Sequence, residues 1–179
     1  MKNVGNSSPP RRPAARKPRA RPRPASVRRV ERRRSNVRWA KPGAFYQLRL
    51  DPGEDVLPTL VEFVRARRIG SGIISGIGAA DEIELGLFDL KNRVYRRRVF
   101  RGDYEILSLL GNIAWDGRDP VCHVHCIIGD AKMAVRGGHL YRARVSVTCE
   151  VAIQPGLRKL ARALDERTGL KLLRLPARG

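Results

Sequence analysis

The sequence predicts an α/β (α+β) domain, a largely antiparallel sheet with flanking helices, behind a disordered basic arm. Three observations carry this. Strand-like apolar patterns recur from residue 44 to residue 153, and their short connections favour antiparallel neighbours. Val56, Leu57, Leu60, Val61 and Val64 fall at helical spacing. Composition also changes sharply near residue 42. Residues 1–42 hold 15 basic side chains and one acid, Glu31, whereas residues 43–179 hold 22 and 16. The domains are therefore read as an arm, 1–42, and a folded domain, 43–175.

The arm is rich in Pro, Arg, Ala and Ser and has almost no apolar periodicity. It cannot bury enough surface to offset the entropy of ordering. Its charge points to a polyanion partner, DNA, through Arg16, Lys17, Arg19, Arg21, Arg23, Arg28, Arg29, Arg32, Arg33 and Arg34. Within it, Lys17-Pro-Arg-Ala-Arg-Pro-Arg-Pro24 resembles an AT-hook, with Ala20 in place of the hook's central glycine. An extended arginine ribbon suits a narrow A·T-rich minor groove. The alternative is a tail that binds phosphates without sequence preference. A transit peptide is a third reading of an Arg-rich, acid-poor segment.

Ala44–Leu50 alternates like a strand, and Asp51-Pro-Gly-Glu-Asp55 turns into a helix predicted to run to about Arg68. Gly70–Gly78 fits neither the Gly-x-Gly-x-x-Gly phosphate fingerprint nor Gly-x-Ser-x-Gly, and reads as a buried strand with close backbone packing. Strands follow at 82–90, 93–100, 104–114, 121–128, 131–136 and 140–153, with turns at 89–92, Gly102-Asp103, 116–120 and Gly129-Asp130. Arg96-Arg97-Arg98 is placed on an edge strand, where charge deters association. Residues 157–164 are ambiguous, since Leu157, Leu160, Ala161 and Leu164 match one helical face in a short segment after Pro155-Gly156.

All three histidines fall in one region. In a strand, residues two apart share a face, so His123 and His125 project together while Cys122, Val124 and Cys126 point the other way. Gly137-Gly138 supplies a backbone that bends or approaches closely, delivering His139. Two imidazoles with a third nearby suit a divalent metal, zinc above all, with a position left open. The alternative reading makes them ordinary polar residues. Three cysteines, an odd number, form no disulfide framework. Cys122 and Cys126 would stand roughly 13 Å apart along a strand, too far to bridge. They read as small core residues of a reducing compartment. With no apolar run near the ~20 residues of a membrane span, the expectation is a soluble, cytoplasmic protein without a membrane partner.

Several stretches together resemble the PPC (plants and prokaryotes conserved) domain across about residues 43–175. They are Ser75-Gly-Ile-Gly-Ala79, Leu85-Gly-Leu-Phe-Asp89, Gly102-Asp-Tyr-Glu-Ile-Leu107 with Gly111-Asn112, His123-Val-His125, Gly129-Asp130, Gly137-Gly-His139 and Asp165–Leu173. The resemblance implies the PPC-domain fold, a homotrimer and, from the histidines, the prokaryotic branch; the DNA-binding reading adds a nucleoid location. It also favours a strand at 157–164. Two functions follow. One is a DNA-binding, nucleoid-associated or regulatory protein whose trimeric core presents basic arms. The other is a metal-dependent enzyme or small-ligand binder using His123, His125 and His139, with Glu105 as candidate base and Tyr104 or Asn112 positioning a ligand.

Overall fold

The computed structural model describes residues 37–175. The arm residues named above, Arg16 through Arg34, lie outside them. The sheet begins before residue 43, because β1 (Arg38–Ala40) pairs with β2 (Tyr46–Leu50). One aromatic side chain anchors this short strand. Trp39 meets Tyr46 and Phe63 edge-on at 5.8 and 5.9 Å, and the Arg67 guanidinium lies 3.8 Å over its ring. A three-residue strand has too little periodicity to be read from sequence.

Helix α1 (Val56–Ala66) buries Val56, Leu60, Phe63 and Val64 against the sheet, as its spacing requires. It is the one helix among the described residues. Asp55 precedes it but caps nothing: its carboxylate accepts instead from Arg142 at 2.9 Å and from the Ala143 N–H at 3.4 Å.

Six strands follow: β3 (Gly72–Asp89), β4 (Val94–Asp116), β5 (Asp119–Gly129), β6 (Val135–Pro155), β7 (Ala161–Asp165) and β8 (Leu170–Arg174). The order is β1-β2-β6-β3-β4-β7-β8, with β5 pairing both β4 and β6. Every pairing is antiparallel except the single bridge from β4 to β7. Pairing of β3 with β4, β4 with β5, β5 with β6 and β6 with β3 makes a closed circuit of strands. Its inner side is filled by Ile74, Ile83, Ile106, Leu109, Ile113, Val124, Ile128, Leu140 and Val151.

Four predicted boundaries change. The strands read at 70–78 and 82–90 are one strand, β3. The separate strands read at 93–100 and 104–114 are one strand, β4. Gly102 and Asp103 together oppose the single residue Asp81, so the expected turn is a bulge, with Gly102 at φ +123°. Residues 131–134 form a turn rather than a strand. The Asp130 carboxylate accepts from the Lys132 and Ala134 N–H groups at 2.9 and 3.0 Å, which diverts that backbone from the ladder. The helical reading of 157–164 fails as well: Ala161–Asp165 is β7, and Leu157 is fully exposed at 105%. Those leucines share a spacing but no buried face. Arg96–Arg98 pair with β3 alone, as expected of an edge.

Cys122, Cys126 and Cys149 are free, buried and directed into the core. Burial pushes each thiol up to about 12. At pH 8 the reactive thiolate is then a fraction of roughly 10⁻⁴, so a disulfide-exchange reagent should find no thiol in the native protein and three after denaturation. Rapid labelling without denaturant would contradict this packing.

Candidate metal centre

The register of β4, β5 and β6 assembles the histidines. Asn112 faces His123, Leu110 faces His125, and His125 lies directly opposite His139 on β6. Residues opposite each other across a ladder share a face, so both strands deliver imidazoles to the same side. The expected bend at Gly137-Gly138 is absent: both glycines are ladder residues of β6. Their use is close approach, since a Cβ on Gly138 would sit 2.9 Å from the Gly86 carbonyl oxygen. Cys122, Val124 and Cys126 point into the core, as the strand period requires.

One candidate ligand nitrogen from each of His123, His125 and His139 lies within 4.8 Å of the others. The ring centroids are 5.0 to 5.5 Å apart. Nitrogens bonded tetrahedrally to zinc stand about 3.4 Å apart, so small side-chain rotations bring the three to one ion. His139 Nδ1 is buried with no hydrogen-bond partner, a cost that a bound ion removes. Burial, then Arg162 and His125, hold His123 below the ordinary imidazole value. Burial, then His123, His125, Arg162 and Arg97, push His139 down to about 4. Both rings are therefore neutral free bases at neutral pH, the form that ligates metal. The donor set fits a divalent ion.

Around His139 the structure adds residues that the sequence reading left out. Tyr95 and Tyr141 place their rings 5.2 and 4.9 Å from it, and the Arg97 guanidinium lies 3.7 Å over Tyr141. Arg162, on β7, donates to Asn112 Oδ1 at 2.9 Å and to the Lys171 carbonyl at 3.0 Å. The β7–β8 hairpin is fastened by Trp115, whose backbone N–H donates to the Leu160 carbonyl at 2.9 Å. His123, His139, Tyr95, Tyr141 and Arg162 line a common cavity of about 370 Å³. Tyr141 is two residues beyond His139 on one strand, so period two alone signals it. Arg162 has no such local signal.

Of the candidate ligand-positioning residues, Asn112 reaches this site through Arg162. Tyr104 and Glu105 line a different cavity with Leu107, Asp130 and Val147. Glu105 pairs with Gly129, four positions along β5 from His125, which is roughly 13 Å at strand rise. No helix among the described residues is long and apolar enough to cross a membrane.

A metal-containing protein from Archaeoglobus fulgidus is 36% identical with a TM-score of 0.69, covering 74% of this chain and 94% of its own. A proposed DNA-binding protein from Bacteroides thetaiotaomicron is 27% identical with a TM-score of 0.75, covering 77% of this chain and 96% of its own. A plant- and prokaryote-conserved (PPC) protein from Pyrococcus horikoshii is 26% identical with a TM-score of 0.69, covering 80% and 97%. The Bifunctional protein GlmU of Synechococcus sp. (strain JA-3-3Ab) is 30% identical over 128 residues, 69% of this chain, which spans only 19% of that relative's length. A family model described as the Plants and Prokaryotes Conserved (PCC) domain matches residues 38–155. That span covers the closed strand circuit and all three histidines, and the chain belongs to the Plants and Prokaryotes Conserved domain family.

Proposed function

We propose that this protein binds DNA through its basic arm, with the folded domain serving as a homotrimeric core. The observation that carries the reading is the placement of charge: residues 1–36 hold 13 basic side chains against one acid. The DNA-binding descriptions of similar structures from Bacteroides thetaiotaomicron and Ralstonia eutropha support it. A trimer is supported by an uncovered apolar face. Ile73, Leu110 and Ile127 lie on the histidine side of the sheet at 60, 57 and 43% exposure, where a second copy of the chain would cover them. Three arms on one particle would add avidity, and a nucleoid location follows from that role. The test is the salt dependence of duplex binding by the full chain. Affinity should fall about 10³-fold or more between 50 and 200 mM salt, as the release of counterions from several phosphates requires. A salt-independent affinity would remove the arm from the account.

A second reading rests on the histidine cluster. His123, His125 and His139 would hold a divalent metal, zinc by its preference for neutral nitrogen donors with an open position. Bound there, the ion supplies Lewis acidity toward a substrate oxygen. The protein's own part is to keep the imidazoles neutral, to wall the site with Tyr95 and Tyr141, and to hold Arg162 beside it through Asn112. Glu105 has no place in this version, because it faces the other cavity.

A further inference from the structure

Arg162 sits beside two of the histidines with much of its binding capacity unused. Of the five N–H donors of a guanidinium, one goes to Asn112 Oδ1 and one to the Lys171 carbonyl. Its Nε is buried and has no partner. Among the described residues it has no carboxylate within ion-pair distance. Asp116, the acid lining the same cavity, is ion-paired with Lys171. Burial lowers the Arg162 pKa from its usual value, as expected of a cation withdrawn from water without a counter-charge. His139, which lines the same cavity, has in Nδ1 a second buried polar atom without a partner. Such a pairing of unsatisfied groups is expensive unless something binds there.

We propose that this cavity binds a compact oxyanion, the phosphate or carboxylate group of a small molecule, with Arg162 as its anchor. The inference deepens the metal reading of the histidines and in its full form rests on it. A divalent ion at the histidines would place a second positive centre near Arg162 with no acid between them, and the two would repel. An anion in the cavity neutralises both. The guanidinium keeps N–H donors beyond those given to Asn112 and Lys171, and a phosphate or carboxylate oxygen is the acceptor that matches them in charge. Leu57, Leu170 and Leu172 form an apolar wall that would receive the rest of the ligand. A volume of about 370 Å³ suits a small metabolite rather than a polymer. Arg162 lies on β7, beyond residues 38–155, the segment that the family match covers.

The test uses a favourable accident of composition: the chain's three histidines are all in the site. Their ring NMR signals report on it alone, and anions held by the arginine-rich arm leave them unmoved. The full chain, with and without added zinc, is titrated at constant pH with inorganic phosphate and, separately, with acetate. Zinc should shift the ring signals at one equivalent per chain. Phosphate or acetate should then shift the His123 and His139 signals saturably, and the more effective of the two names the group. Arg162→Met should weaken that response at least about 10-fold, and Arg162→Lys, which keeps the charge, should retain part of it. Ring signals indifferent to both anions, or an equal response in Arg162→Met, would overturn the proposal while leaving a zinc response intact. A response to anions without one to zinc would overturn the metal reading and keep the anion site. Loss in the Lys and Met variants alike would mean that Arg162 only holds the hairpin in place, and would also overturn it.

Discussion

A chain lacking residues 1–36 is expected to lose at least about 100-fold in affinity for duplex DNA while keeping its fold and its assembly mass. The cut removes 13 basic side chains and one acid. What remains holds 24 basic and 16 acidic side chains, a smaller excess than the arm's, and many of its arginines are engaged: Arg65, Arg96, Arg101, Arg136, Arg142 and Arg144 all pair with carboxylates. The position of the cut matters. Deleting through residue 42 would also remove Trp39, and with it ring contacts to Tyr46 and Phe63 that close one end of the core. A loss of DNA binding in that longer deletion would confound charge with folding. Gel-shift titrations and sedimentation on the full and shortened chains separate the two. Equal DNA affinity would end the arm's role, and a shortened chain at monomer mass would move assembly from the core to the arm.

The second large effect is expected at the histidines. His123→Ala and His139→Ala should each reduce bound zinc from about one per chain to below about 0.1, as expected where three nitrogens must converge on one ion. Neither ring is a major part of the buried core, so far-ultraviolet circular dichroism should be unchanged. Thermal melts give an independent readout. At zinc 100-fold above its dissociation constant the native protein should gain about 2.7 kcal/mol, and the variants nothing. Variants that still bind zinc stoichiometrically and gain the same stability would show that the cluster is not the metal site.

The reach of sequence reasoning differed from residue to residue for physical reasons. The shared face of His123 and His125 and the opposite face of Cys122 and Cys126 follow from a period of two, and any paired strand enforces it. His139 was assigned to the cluster through a glycine pair that bends or approaches closely, and close approach is what the pair provides. The ladder brings it in by a direct cross-strand pair with His125, which depends on register set elsewhere in the sheet. Gly102-Asp103 has the composition of a turn, yet a bulge uses the same positive φ without ending the strand. Arg162 was out of reach, because its strand carries no readable alternation and its position depends on tertiary contacts with Trp115 and Asn112. The strand that the family likeness favoured over 157–164, left open against the helical spacing, holds from Ala161 on, while residues 157–160 lie outside any strand.

The closed circuit of strands also sets the order in which this chain can fold as it is made. β2 has its main partner in β6, about 100 residues later, and β3 pairs with the same distant strand along most of its length. Until residue 155 has left the ribosome, β1, β2 and helix α1 have no completed sheet to pack against. The hairpins β3–β4 and β4–β5 join near neighbours and are expected to form first, with β6 joining β2, β3 and β5 in a later step. That step brings His139 to His125, so the three-histidine cluster comes into being only when the domain is whole. A nascent chain released short of residue 139 would carry the whole basic arm but only two of the three clustered histidines.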